Sequence, residues 1–369
     1  MNRIPELPDN VDAIPSPALV LHWPSVEENL RRMILLAPGP EWLRPHLKTH
    51  KLPQIVARLA ALGVTKAKCA TIAEAEMAAE AGATDVLLAA PLVGPTTGRL
   101  LALMAKFPEV TFAGLADDAS AIAEAGAQAQ AAGERLRVLL DLDVGQHRTG
   151  VCPAEAAGLY RQLAAHPGLV AAGLHAYDGH LHQSDAAVRA AACDEAFRPV
   201  AALADALRAN GLDVPVIVAG GTPTYPMHAR RAGVECSPGT CVLWDAGYAA
   251  HLPDLEFLPA AYLVARVISR PSAGRLCLDL GHKAVASEMP QPRVVFPELP
   301  DARPVMHNEE HLVLETDKAD AFPVGRALVG IPWHICPTVA LHAFVHVIRD
   351  GTRATETWPV TARTRRITV

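Results

Sequence analysis

The chain has 369 residues, half of them hydrophobic, and 33 Lys and Arg against 39 Asp and Glu give a formal net charge of −6. That length predicts a large barrel with a smaller domain, or two comparable domains. The acidic balance argues against nucleic-acid or anionic-membrane partners, which need a basic surface, and leaves a small molecule as the expected partner.

Seven cysteines scattered from Cys69 to Cys336 make no disulfide framework, and their odd number leaves at least one unpaired, which suits a reducing cytoplasm. Residues 1–17 lack the apolar core of a secretory signal or anchor. No apolar run reaches the ~18 residues of a membrane span.

In chain order, residues 18–21 read as a buried strand, and Ser25 with Glu28 as a capping box opening a helix through Leu36. Arg44-Pro45-His46-Leu47-Lys48-Thr49-His50-Lys51 then sets one lysine among cations where a strand should give way to a helix. Arg44 and Lys51 would penalise the ammonium form of Lys48 and favour a Schiff-base role; a solvated basic face or anion site is the alternative. A second capping box, Thr71 with Glu74, follows a strand at 66–70 and opens a helix stopped by Gly82. Further strands are expected at 85–89, 110–115, 137–142, 169–175, 215–219 and 234–236.

With the run before Lys48 these alternations predict an α/β fold, a (β/α)8 TIM-type barrel over residues 17–247. Strands at 264–269, 275–280, 312–315, 327–329 and 343–349, between Pro and Gly turns, predict a second, C-terminal β-rich domain formed by 1–16 and 248–369. Lys48, Arg148, Tyr177 and Gly220 fall at strand C-terminal ends, where barrel enzymes carry their chemistry.

Arg148, in Asp143-Val144-Gly145-Gln146-His147-Arg148-Thr149-Gly150, could hold an anionic oxygen or cap a turn carbonyl. Tyr177 could bond a cofactor ring, act as an acid, or bond the backbone. His180 and His182 have metal-ligand spacing, or are structural. Gly220-Gly221-Thr222-Pro223-Thr224 and Ser237-Pro238-Gly239-Thr240 offer amides and hydroxyls for a phosphate after the last two barrel strands. No Gly-x-Gly-x-x-Gly or Walker pattern occurs. His334 and Cys336, two apart on an expected strand, could bind Zn²⁺ with His311 and Glu310, or water and substrate, completing the site; an incidental pair is the alternative.

Taken together, these segments and Asn308-Glu309-Glu310-His311 resemble the D-threonine aldolase and D-serine dehydratase family, whose members have the alanine racemase type of pyridoxal 5'-phosphate (PLP) fold. The resemblance runs nearly end to end. It implies that Lys48 carries PLP, that Tyr177 approaches the pyridine nitrogen and Arg148 the phenolic side, and that Gly221, Thr222, Gly239 and Thr240 hold the phosphate. Cys241 stands where many members have an aromatic residue. His334 and Cys336 would bind a divalent metal, Zn²⁺ before Mn²⁺ or Mg²⁺, since thiolate favours zinc. A homodimer is implied, each β domain completing the neighbour's site.

The implied activity is a lyase of 3-hydroxy D-amino acids. Thr49 and Cys336 lean it to a D-serine-type dehydratase, in which Lys48 removes the Cα proton. A D-threonine aldolase is the alternative, with His50 as base for the hydroxyl proton; an amino-acid racemase ranks behind both.

Overall fold

The structure is a computed structural model describing residues 5–369; the first four residues of the expected segment 1–16 lie outside the described residues. It divides into a barrel unit (residues 34–48, 53–239 and 364–369) and a sheet unit (residues up to 33, 49–52 and 240–363).

Strand β1 (Ala18–His22) lies in the sheet unit. In the barrel unit, β2 (Lys66–Cys69), β3 (Asp85–Pro91), β4 (Thr111–Ala116), β5 (Leu136–Leu142), β6 (Leu169–Ala176), β7 (Val216–Ala219) and β8 (Val234–Cys236) form one parallel sheet in sequence order. Helices such as Ile72–Glu80, Thr96–Lys106 and Ala119–Ala131 connect them. Two of these helices are opened by side-chain caps: Thr71 Oγ1 accepts from Glu74 N–H at 3.2 Å, and Asp118 accepts from Ser120 and Ala121.

Residues 43–46 close the ring. Leu43 bridges Cys236 and His46 bridges Lys68, both in parallel. Arg44 N–H donates to the Cys236 carbonyl at 2.8 Å, and Lys68 N–H to the Pro45 carbonyl at 2.9 Å. The extended run before Lys48 is therefore the barrel's eighth stave, as its sequence predicts.

Leu87, Ala113, Leu115, Leu139, Ala172 and Val218 fill the barrel interior. The register breaks between Val138 and Leu139, so that Leu139 pairs with Gly173 and Asp141 with His175. Because alternate residues share a face, this bulge turns His175 and Tyr177 toward the side that Leu139 occupies. Gly173 makes it possible: φ is +133°, and a Cβ there would lie 1.9 Å from the Val216 carbonyl oxygen. Lys68, paired with the interior residue Leu87, also faces inward.

The sheet unit is built on β1 with β9 (Ala261–Ser269), β10 (Arg275–Leu278), β11 (Val294–Val295), β12 (Arg303–His307), β13 (Leu312–Glu315), β14 (Ala327–Pro332), β15 (Phe344–Ile348) and β16 (Glu356–Pro359). Its order is β12-β13-β10-β9-β1-β15-β16, with β14 pairing β9 and β11. Val20, Tyr262, Val264, Val329 and Ile348 form its core.

Two local expectations change. β1, read as the barrel's first strand, pairs with β15 in parallel and β9 antiparallel. The helix beginning at Trp23 starts before the Ser25–Glu28 box: Ser25 bonds His22 Nδ1 at 2.7 Å, and Glu28 turns to Arg31 and Arg32 instead of back to the N-cap.

Candidate active site

The barrel's C-terminal end holds three cations around one ring. Lys48, in the turn Leu47–Thr49, places Nζ 5.7 Å from the Tyr177 centroid; Lys68 Nζ lies at 5.2 Å and Arg148 Cζ at 5.2 Å. Asp143 presents Arg148 by accepting from the amides of Gly145 (2.9 Å) and His147 (3.0 Å), which folds their loop. Lys68 was missed from sequence. Burial, reinforced by the charges of Lys48 and Arg148, brings its amine down to about 7.

Arg44 does not serve as the depressing cation expected beside Lys48. Its guanidinium is buried and spans Glu235 (2.7 Å) and both oxygens of Asp85 (2.7 and 2.9 Å).

Asp141 and His175 form a buried pair at 2.6 Å, with Thr149 donating to the other carboxylate oxygen at 2.8 Å. Burial and the Lys68 charge lower His175, so the imidazole is neutral; Nδ1–H donates to Asp141, and Nε2 has no protein partner. Neither residue was singled out in the sequence.

The loops after β7 and β8 meet where Gly239 N–H donates to Thr222 Oγ1 at 3.0 Å. That amide is thereby occupied and is not a free donor. Gly221 packs against Tyr177, where a Cβ would stand 3.0 Å from Cε2. The buried Ser237 hydroxyl has no protein partner. A lysine amine, three clustered cations of which Lys68 is buried, an aromatic ring and an unpartnered hydroxyl fit an anionic aldehyde cofactor of the PLP type.

Asp178, next to Tyr177, braces the first of these loops. It accepts from Thr224 Oγ1 (2.8 Å) and bonds His228 Nε2 (2.9 Å), while Arg231 lies 2.9 Å from His228 Nδ1. Asp178, Cys193 and His228 present a cluster of metal-ligand type. Arginine can only donate, however, so His228 Nδ1 accepts and Nε2–H points to Asp178, leaving no imidazole lone pair for a cation. Burial also holds the Cys193 thiol up at about 11. The cluster is a hydrogen-bonded brace. His180 lies in the turn after β6 and His182 is exposed, so neither sits on the strand face their spacing suggested.

In the sheet unit, His334 is the N-cap of the helix Ile335–Leu341 and Cys336 lies in its first turn, in place of the expected strand. The two side chains still touch, and with Glu288 this contact outweighs burial and raises His334 to about 9. Glu288 bonds His334 Nδ1 at 2.5 Å, the kind of carboxylate contact that orients metal-ligating histidines. Cys336 Sγ lies 3.1 Å from Thr49 Oγ1 and 3.5 Å from Thr240 Oγ1. Of the expected completing residues, Glu310 pairs with Lys283 and His311 is exposed. A histidine, a thiol and an orienting carboxylate fit a divalent metal.

His50 is buried, and burial pushes it down to about 3. Its Nδ1 accepts the Leu52 amide at 3.1 Å, so Nε2 carries the proton and has no protein partner.

A lysine amine over a tyrosine ring at a barrel mouth, with hydroxyl-rich loops after the last strands, defines an α/β-barrel enzyme that works through a bound aldehyde. The family profile "Alanine racemase, N-terminal domain" matches residues 22–245, and a serine dehydratase domain profile matches residues 260–348. D-threonine aldolase of Arthrobacter sp is 33% identical, covering 96% of this chain and 94% of its own. The crystal structure of D-threonine aldolase from Filomicrobium marinum superposes with a TM-score of 0.88 at 32% identity, over 96% of this chain and 97% of that one. D-threo-3-hydroxyaspartate dehydratase of Delftia sp. strain HT23 is 26% identical, over 95% of this chain and 98% of its own.

Solved forms of D-threo-3-hydroxyaspartate dehydratase include a histidine-to-alanine mutant and, two positions later, a cysteine-to-alanine mutant in the metal-free form; the latter matches with a TM-score of 0.81 at 25% identity, over 94% of this chain and 97% of that one. The chain belongs to the alanine racemase-like family that includes D-threonine aldolase and the serine dehydratase domain, and it is a PLP-dependent lyase. Among the described residues no helix is long and apolar enough to cross a membrane.

Proposed function

We propose that this protein is a PLP- and divalent-metal-dependent lyase of 3-hydroxy D-amino acids that eliminates the hydroxyl, a D-serine-type dehydratase. Lys48, Arg148, Tyr177, Gly221, Thr222, Gly239 and Thr240 would hold PLP, and His334 and Cys336 the metal, Zn²⁺ best matching a thiolate. When bound, PLP supplies an electron sink for charge developing at Cα. The metal supplies Lewis acidity toward the β-oxygen.

The remaining work falls to the chain's own groups. Lys48 takes the Cα proton on Nζ. Tyr177 would orient the ring with a phenol where a carboxylate would enforce protonation of the ring nitrogen. Thr222 ties the two phosphate loops together through Gly239. Glu288 fixes His334 in the ligating tautomer, and Thr49 and Thr240 hold the Cys336 sulfur.

The observation that carries elimination over cleavage is the tautomer of His50. Retro-aldol cleavage needs a base for the hydroxyl proton. His50 was the nearest candidate, but its Nε2 already bears hydrogen and its Nδ1 is spent on Leu52. It can donate to a departing hydroxyl and cannot accept from one. The His-x-Cys pair, matching the spacing in the dehydratase mutants, agrees. The aldolase reading is favoured by the 33% identity to a D-threonine aldolase. Protein loaded with PLP and Zn²⁺ is to be incubated with D-serine, D-threonine and D-threo-3-hydroxyaspartate. Ammonia with a 2-oxo acid supports the dehydratase; glycine with an aldehyde from D-threonine transfers the protein to the aldolases.

A further inference from the structure

The barrel contains a second lysine with no task in the scheme above. Lys68 is 2% exposed, on the inward face of β2, and shares the Tyr177 ring with Lys48: the two Nζ atoms stand 5.2 and 5.7 Å from the same centroid. The carboxylates that face Lys68 are Asp141 and Asp178, each engaged elsewhere, Asp141 by His175 and Thr149 and Asp178 by His228 and Thr224. Arg148 adds a third cation over the ring, and His175 is neutral. Two ammonium groups over one ring, the half-exposed Lys48 and the buried Lys68, repel each other without a dedicated counter-ion. Burial, with the neighbouring Lys48 charge, brings Lys68 down to about 7, in keeping with that repulsion.

We propose that Lys68 is a positioning residue for Lys48: by sharing the tyrosine ring it disfavours the doubly charged pair and makes the neutral Lys48 amine accessible for bonding to an aldehyde carbonyl. This rests on Lys48 being the cofactor lysine. The step is a condensation. The Lys48 nitrogen lone pair attacks the aldehyde carbon, the carbonyl oxygen leaves as water with two protons from the amine, and a C=N bond remains; nothing is oxidised or reduced.

The test uses the full chain freed of cofactor and titrated with pyridoxal phosphate from about pH 6 to about pH 10, a span reaching from the ordinary histidine to the ordinary lysine value. Adduct absorbance gives the midpoint of capture, and borohydride reduction with peptide mass spectrometry gives its location. The native chain should be labelled on Lys48. Lys68→Met should be labelled at the same residue with the midpoint shifted alkaline by about one pH unit or more. Lys68→Arg, which keeps the cation, should stay near the native midpoint. Should the Met variant not fold, Lys68→Gln is read in the same way.

Label on Lys48 with superposed native and Lys68→Met profiles overturns the role of Lys68 and leaves Lys48 as the cofactor lysine. An Arg variant that shifts as far as Met also overturns it, because packing and not charge would be the cause. Label on Lys68, or on neither lysine, overturns the cofactor assignment itself.

Discussion

Replacing Arg44 by Met tests whether the ion triad in the closing stave holds the barrel shut. Arg44 is the guanidinium between Glu235 at 2.7 Å and Asp85 at 2.7 and 2.9 Å, with side-chain exposures of 5% for Arg44, 6% for Glu235 and 31% for Asp85. Removing one member of a buried pair costs about 3–5 kcal/mol, because the remaining charge stays desolvated. Lys66 still contacts Glu235, and Asp85 is partly hydrated, so the loss should fall at the lower end, about 3 kcal/mol. At about 2–4 °C per kcal/mol for a unit of this size, the melting midpoint should drop by about 6–12 °C.

The pH dependence follows from Asp85, whose carboxyl is held down by Arg44 against the opposing effect of burial. A depressed carboxylate contributes stability above its unfolded value of about 3.9 and loses it as pH falls through the folded value. The gap between native and variant should therefore be full at neutral pH and shrink in strong acid. Thermal melts by circular dichroism at neutral and acid pH measure both. A variant within 1 kcal/mol of native at neutral pH, or a gap unchanged in acid, would refute the argument.

Gly173→Ala should destabilise the barrel by about 3 kcal/mol and weaken PLP binding, since the added methyl meets the Val216 carbonyl and the bulge that turns Tyr177 inward is lost; denaturant melts and cofactor titration read this. The His50 imidazole should show Nε2–H by nitrogen NMR and stay neutral well below the ordinary value of about 6.5. Its contribution to stability is complete above that value and is lost as pH falls toward about 3. Observing Nδ1–H would remove the case for elimination. Cys336→Ser should keep PLP absorbance while losing bound metal and turnover, whereas Glu288→Gln should lower metal affinity about 10–100-fold without touching PLP; metal analysis after dialysis separates them.

Strand positions were legible because buried parallel strands read as short apolar runs between turn residues, and the runs at 234–236 and 312–315 coincide with β8 and β13. Sheet membership was not. β1 has the same local pattern as a barrel strand, and its partners Ala261–Val264 and His346–Ile348 lie more than 230 residues away. Lys66-Ala67-Lys68-Cys69 reads as a strand with one charged face; only pairing with Leu87 shows that face to be the interior at Lys68. The helix starting beside His334 did leave a trace. Pro337 suits the first turn of a helix and not the middle of a sheet, so the spacing of His334 and Cys336 could have been read on helical geometry.

On the proposed reading, the choice between elimination and cleavage is a question of where protons can go, and a backbone amide bears on it. The Leu52 amide holds His50 Nδ1 as an acceptor and commits Nε2 to donation. Glu288 does the reverse at His334, taking Nδ1–H, so that Nε2 would be the ring atom for the proposed metal. Two histidines of one unit are thus oriented through Nδ1 in opposite senses, one accepting and one donating, each by a partner outside the reacting atoms. Asp141 repeats the second arrangement at His175 in the barrel. On that reading, a shift from elimination toward cleavage would need no new base, only release of His50 from Leu52. Leu52→Pro, which deletes that amide, is therefore the substitution most able to raise glycine formation from D-threonine relative to 2-oxo acid formation.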